Sequence, residues 1–209
     1  MIESRIGSGG HYLVLGAVRG LLAEVPKVLA RLEAYAPGVV AVGLSPDEAA
    51  SLREHFVGQS AEPLVPLAPS ELAEVRALAR FGDVSVPNPT YPAILAWGDA
   101  HQIPIEPLDP TDDQYAMMFT DHISYTELVR RTLRERKLTR HPPEAPSADD
   151  LAVAWGSSMA QSGGSARLAR ARDAALADGV RYLAGRHDRI AIVVERERFA
   201  SVLAALGGP

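Results

Sequence analysis

The 209-residue chain contains no cysteine. This excludes disulfides, thiolate nucleophiles and every zinc or iron–sulfur site built on thiolate ligands, so any metal would have to rest on His, Asp and Glu. Long apolar runs are also missing. No stretch reaches the roughly 18–20 uncharged apolar residues of a transmembrane helix. The apolar stretch Tyr12–Leu22 is interrupted by Arg19 and preceded by Gly-Ser-Gly-Gly, without the basic start and cleavage site of a secretory signal. The expectation is a cytoplasmic protein with no membrane span. Nor is there a surplus of positive charge: 21 Lys and Arg stand against 26 Asp and Glu, a formal net charge of −5. That balance gives no global attraction to phosphate backbones, so nucleic acid is not the expected partner. What is present, 47% apolar and 22% charged residues, suits a globular chain read as one domain over 1–209.

Several catalytic signatures are absent too. There is no Gly-x-Ser-x-Gly nucleophile elbow. The six histidines, His11, His55, His101, His122, His141 and His187, form no His-x-x-x-His or His-x-x-Glu pair suited to a metal on one helix. Gly-Ser-Gly-Gly at 7–10 precedes a strand instead of joining a strand to a helix, and no Gly-Lys-Ser or Gly-Lys-Thr follows, so it is not a phosphate loop. Gly16–Gly20 has the position of a dinucleotide loop but not its three glycines.

Four short apolar runs, Tyr12–Ala17, Val39–Leu44, Ile103–Leu108 and Arg189–Val194, read as buried strands of a parallel sheet. The prolines in the third argue for an edge position or an irregular end. Helical patterns lie between them at 21–35, 46–56, 70–81 and 93–101. They continue as a long region over 111–140, then at 148–161, 165–184 and 196–206. Ser45-Pro46-Asp47-Glu48 carries an N-cap, a first-turn proline and first-turn acids. Residues 58–69, with three prolines, read as an irregular connection or lid. The pattern predicts a layered α/β fold: a mostly parallel sheet of about four core strands, helices on both faces, and an inserted helical hairpin over about 111–185.

In such a sheet, ligands bind beyond the carboxyl ends of the strands. This rule nominates Val18-Arg19-Gly20, Ser45–Glu48, Asp109–Asp113 and Glu195–Arg198. Arg19, directly after an apolar strand, is placed to clamp a carboxylate or phosphate, or to pair with one of these acids. The acids Glu106, Asp109, Asp112 and Asp113 are the nearest approach to a hard-metal or general-base site. Asp109 before Pro110 also suits a turn, and Asp112 and Asp113 suit a first helical turn. Ser162-Gly-Gly-Ser165 reads as an interhelix turn with Ser165 as N-cap, or as an anion site on exposed amides. Gly156-Ser-Ser-Met reads as helix packing. The basic runs Arg130–Lys137 and Arg167–Arg172, flanked by acids, read as solvated or intersubunit faces.

The order of segments resembles TraB/PrgY-type proteins, of the erythromycin-esterase-like and ChaN-like superfamily. The resemblance is carried by Leu15-Gly-Ala-Val-Arg19, Pro37-Gly-Val-Val-Ala-Val-Gly-Leu-Ser45, Pro92 to Asp109, Ala171-Arg-Asp-Ala-Ala-Leu-Ala177 and Ile190–Val194, and runs over nearly the whole chain. It implies an α/β scaffold linked to metal-dependent hydrolysis or peptide handling. The polar signature departs from that family: Arg19 stands at its first histidine, Gly43 at its strand glutamate, and Glu195-Arg-Glu-Arg198 at its Gly-His step. Asp109, Arg172 and Asp173 match. A cation cannot ligate a metal, and Gly has no ligand atom on its side chain.

The leading expectation is a TraB-like domain of lost or altered chemistry. It would bind a small anionic or peptide ligand, or a partner protein, through Arg19, Asp47, Asp109, Asp112, Arg172 and Glu195. No cofactor is expected, with a divalent metal as the exception that the alternative requires. That alternative is a metal-dependent peptide or ester hydrolase with a relocated acidic site at Glu106, Asp109 and Asp112. Another is a homodimeric assembly protein associating through 111–185.

Overall fold

A computed structural model describes residues 1–7, 11–57, 68–161 and 163–207, and the side chains of all of these but Val57. Five strands form one sheet: β1 (Ile2–Ile6), β2 (Tyr12–Ala17), β3 (Val39–Val42), β4 (Ile105–Pro107) and β5 (Ile190–Glu195). Their spatial order is β1-β2-β5-β3-β4. The four expected strands are parallel neighbours, and β1 adds an antiparallel edge beside β2.

Successive residues of β2, β3 and β5 point to opposite faces, and both faces are apolar. One face sets Leu13, Leu15, Val40, Val42 and Val193 against α1 (Glu24–Tyr35) and α4 (Thr90–His101) through Val28, Leu32, Ile94 and Leu95. The other sets Val14, Ala41, Ile190 and Ile192 against α8 (Gly163–Ala184) and α9 (Phe199–Ala205) through Leu176, Val180, Phe199 and Val202. Gly16 is the small residue that lets α9 approach, since a Cβ there would lie 2.9 Å from that of Phe199.

The remaining helices are α2 (Pro46–Val57), α3 (Pro69–Leu78), α5 (Asp112–His122), α6 (Tyr125–Arg140) and α7 (Ala148–Met159). The region over 111–140 is therefore two helices, not one. Ile123 ends α5 in an extended conformation, and Ser124 starts α6 with a reciprocal cap in which its hydroxyl accepts from the Glu127 amide and the Glu127 carboxylate accepts from its own amide. The 111–185 region is thus four helices, α5 to α8. α3 begins at Pro69, so Ser70 lies inside it. Most of the lid expected at 58–69 lies outside the described residues. No helix among the described residues is long and apolar enough to cross a membrane.

Candidate functional site

The four nominated loops meet at the carboxyl end of the sheet. The ladder reaches past the strands and positions them: Arg196 donates its amide to Ala17 O (2.8 Å), Gly43 to Val193 O (3.0 Å) and Asp109 to Leu44 O (2.9 Å). A tight turn closed by Arg198 N–H on Glu195 O (3.0 Å) swings Arg198 back over the strand ends before α9 begins. Ser45 and Glu48 cap α2 reciprocally, each amide donating to the other side chain at 3.0 Å. Thr111 and Gln114 cap α5 in the same way.

Together these segments enclose a cleft of about 410 Å³. Of the residues expected from sequence, Arg19, Asp109, Asp112, Arg172 and Glu195 line it. Asp47 does not, but its carboxylate accepts the Asp112 amide at 3.0 Å and so fixes the start of α5 beside the cleft. Glu106, on β4, is not part of the lining, so the trio Glu106, Asp109 and Asp112 is not assembled there. Among the described residues, no group of three or more His, Asp or Glu is placed to hold a metal ion.

Arg198 is the hub of the cleft floor. Its Nη1 and Nη2 donate to both oxygens of Asp109 at 2.8 and 2.7 Å, and its Nε donates to Asp173 Oδ1 at 2.8 Å. Glu195 Oε2 lies 3.6 Å from its Nη1. Asp109 takes a further hydrogen bond from Arg172, whose guanidinium stacks over Tyr115 at 5.3 Å. Burial alone would raise the Asp109 pKa, but the Arg198 and Arg172 guanidiniums outweigh it and hold the carboxyl below the usual range. Burial would likewise lower that of Arg198, and the carboxylates around it, Glu195 and Asp109 foremost, hold it well above normal. Gly43 leaves room for this arrangement: a Cβ there would stand 3.2 Å from Arg198 Nη1 and 3.4 Å from Glu195 Oε2.

Arg19 pairs with Glu74 of α3 at 2.9 Å, not with an acid of the four loops. Burial, then the neighbouring charges of Glu195 and Glu74, push Glu197 up to about 7. Glu197 packs against α7 at Gly156, where a Cβ would come 2.6 Å from its own. Two buried polar atoms of the lining make no hydrogen bond, Glu195 Oε2 and Arg172 Nε, and the Tyr91 hydroxyl behind them makes none either. Such groups are expensive to leave unpaired.

Sequence reasoning singled out Glu195 in the last loop but not Arg198 or Glu197. The tight turn after β5 decides which of those four side chains reach the cleft, and a run of alternating charges does not encode it. The anion site considered at Ser162-Gly-Gly-Ser165 is filled from within, since Gly164 N–H donates to the Glu127 carboxylate. α8 starts at Gly163, two residues before the expected cap, and Ser162 lies outside the described residues.

The fold and this arrangement define an α/β protein with an open, mostly parallel sheet and a charged cleft at the strand carboxyl ends. Compared with models of protein families, with curated proteins and with solved structures, the chain finds no match in any of the three.

Proposed function

We propose that the protein is a ligand-binding α/β domain whose cleft receives a compact molecule bearing a cationic group, such as an amine-containing small molecule or the amino end of a peptide. The observation that carries this reading is the buried Glu195 Oε2, which accepts no hydrogen bond and has only the Arg198 guanidinium at 3.6 Å, in a cleft lined by five acids and three arginines. The three lining arginines, among them the Arg19 that prompted the expectation of an anionic ligand, are engaged by Asp109, Asp173 and Glu74, whereas Glu195 Oε2 accepts no hydrogen bond. A ligand ammonium would supply donors and positive charge together.

The resemblance to TraB/PrgY-type proteins belongs to the same proposal. Arg198 lies against Gly43, where that family keeps a glutamate, so a cation stands in place of a ligand for one. This supports a scaffold retained with its chemistry altered. Calorimetric titration with short diamines, amino acid amides and tripeptides with free amino ends tests the reading. Binding that disappears in a folded Glu195→Gln chain is expected. Equal binding by that variant, or binding only by carboxylates and phosphates, would overturn it.

A second reading, hydrolysis, is favoured by one observation: a carboxyl raised to about 7 in the cleft, Glu197, is poised for proton transfer near neutral pH. It replaces the relocated Glu106, Asp109 and Asp112 site with a general base that needs no metal. Turnover of peptide or ester substrates that rises with pH through about 7 and vanishes in Glu197→Gln is its expected outcome.

A further inference from the structure

α6 turns Arg131, Arg134, Glu135 and Leu138 toward α3 and α7, where Leu138 is buried with Ala73 and Trp155. Tyr125, Leu128, Val129 and Leu133 of the same helix are 80, 42, 44 and 58% exposed. The helix holds six cations, Arg130, Arg131, Arg134, Arg136, Lys137 and Arg140, against Glu127 and Glu135, a local charge of +4 on a chain of −5. Both of its acids are already used, Glu127 by the Ser124 and Gly164 amides and Glu135 by Arg131.

Between α3 and the last turn of α6 lies a second cavity of about 410 Å³. Leu72, Ala77 and Pro142 make its apolar surface, Thr139 its α6 wall, and Arg76 and Arg80 its charged rim. No acid lines it. Among the described residues, Arg76, Arg80, Arg136, Lys137 and Arg140 form no ion pair, whereas every arginine of the sheet-end cleft has one.

We infer that the α3/α6 groove is a docking site for a protein segment in which apolar side chains are flanked by Asp and Glu. The apolar surface rewards burial of side chains, and the unpaired cations supply the complement to acids. A second copy of the chain fits poorly, because the outward charges of α6 are all positive and two copies meeting there would set like charges together. An anionic bilayer fits less well than a discrete segment, since the rest of the chain carries −9 once the +4 of α6 is set aside and would be repelled over the membrane plane. Nucleic acid would leave the leucine, alanine and proline surface unused. The inference stands apart from the cleft and survives its failure.

The test is fluorescence anisotropy at physiological ionic strength with a labelled helical peptide carrying Leu on one face and Glu beside it. Binding is expected to weaken by about tenfold or more when the peptide's Glu residues become Gln, or its Leu residues become Ser. The same loss is expected in an Arg76→Glu, Arg80→Glu chain with an unaltered melting curve, and a smaller one in Lys137→Glu. Undiminished binding by the charge-reversed chains or by the Ser peptide would overturn the inference. So would tighter binding to phosphatidylserine vesicles or duplex DNA, or light scattering showing self-association that Arg76→Glu abolishes.

Discussion

In the sheet-end cleft, the Arg198 side chain is 13% exposed and held by Asp109, Asp173 and Glu195; on the α3/α6 side, Arg76, Arg136 and Arg140 stand in solvent and form no ion pair among the described residues. The residue type is the same, but the work differs. Where a guanidinium is desolvated, its partners are obligatory, because a buried charge without one is costly. Where it is solvated, an absent partner costs the fold nothing and leaves the cation free for an intermolecular contact. A count of arginines therefore says little about function until each has been placed in one of these two settings.

The largest expected effect belongs to Arg198. Replacing it with Met leaves Asp173 buried without its cation and Asp109 with Arg172 alone, and a loss of about 3–5 kcal/mol in denaturant unfolding is expected. A loss under about 1 kcal/mol would mean that the cleft network is as dispensable as the surface.

Next in size is the pH response. Glu197, raised from 4.5 to about 7, favours its protonated form in the fold, so the folded chain takes up a proton between those values. Stability should fall as pH rises through that window, by up to about 3 kcal/mol, and Glu197→Gln should flatten the curve. Asp109 acts in the opposite sense. Its depressed pKa contributes stability that is present above the unfolded carboxylate range and lost as pH falls through the folded value.

Gly43→Ala strains the same network, because its Cβ would press on Arg198 at 3.2 Å and on Val194 Cγ1 at 3.3 Å. A loss of about 1–2 kcal/mol is expected from thermal melts. The smallest effect belongs to the other region: Arg136→Ala should change stability by less than about 0.5 kcal/mol while still weakening the acidic peptide.

The strands buried on both faces were readable because each is a continuous apolar run between turn residues. β1 was not, since Ile-Glu-Ser-Arg-Ile holds three consecutive polar residues and belongs to a strand that lies on an edge and is mostly exposed. The Ile123-Ser124 break was hidden by helix formers on both sides. Its mark is the Ser124 and Glu127 cap, a local signal that a reading by apolar spacing passes over. For the site, topology sufficed to name the four loops, because strand ends follow from strand positions. Partnerships across the fold, such as Asp109 with Arg198 at a separation of 89 residues or Arg19 with Glu74 at 55, depend on packing and leave no local trace. Asp173 was reached only through resemblance to a family.

The two edges of the sheet bear on how this chain can meet others. At β4, Val40 bonds to Pro104 O and Leu108 bonds to Val42 O, so the residues that turn outward are Ile105 and Pro107, and Pro107 has no amide hydrogen. That rim offers an incoming strand a single donor. At the far rim, β1 carries Glu3, paired with Arg31 at 2.6 Å, and Arg5, charges that discourage a strand from adding on. Neither border of the sheet is suited to recruiting another chain by backbone pairing, which leaves the helical surfaces as the faces on which a partner could dock.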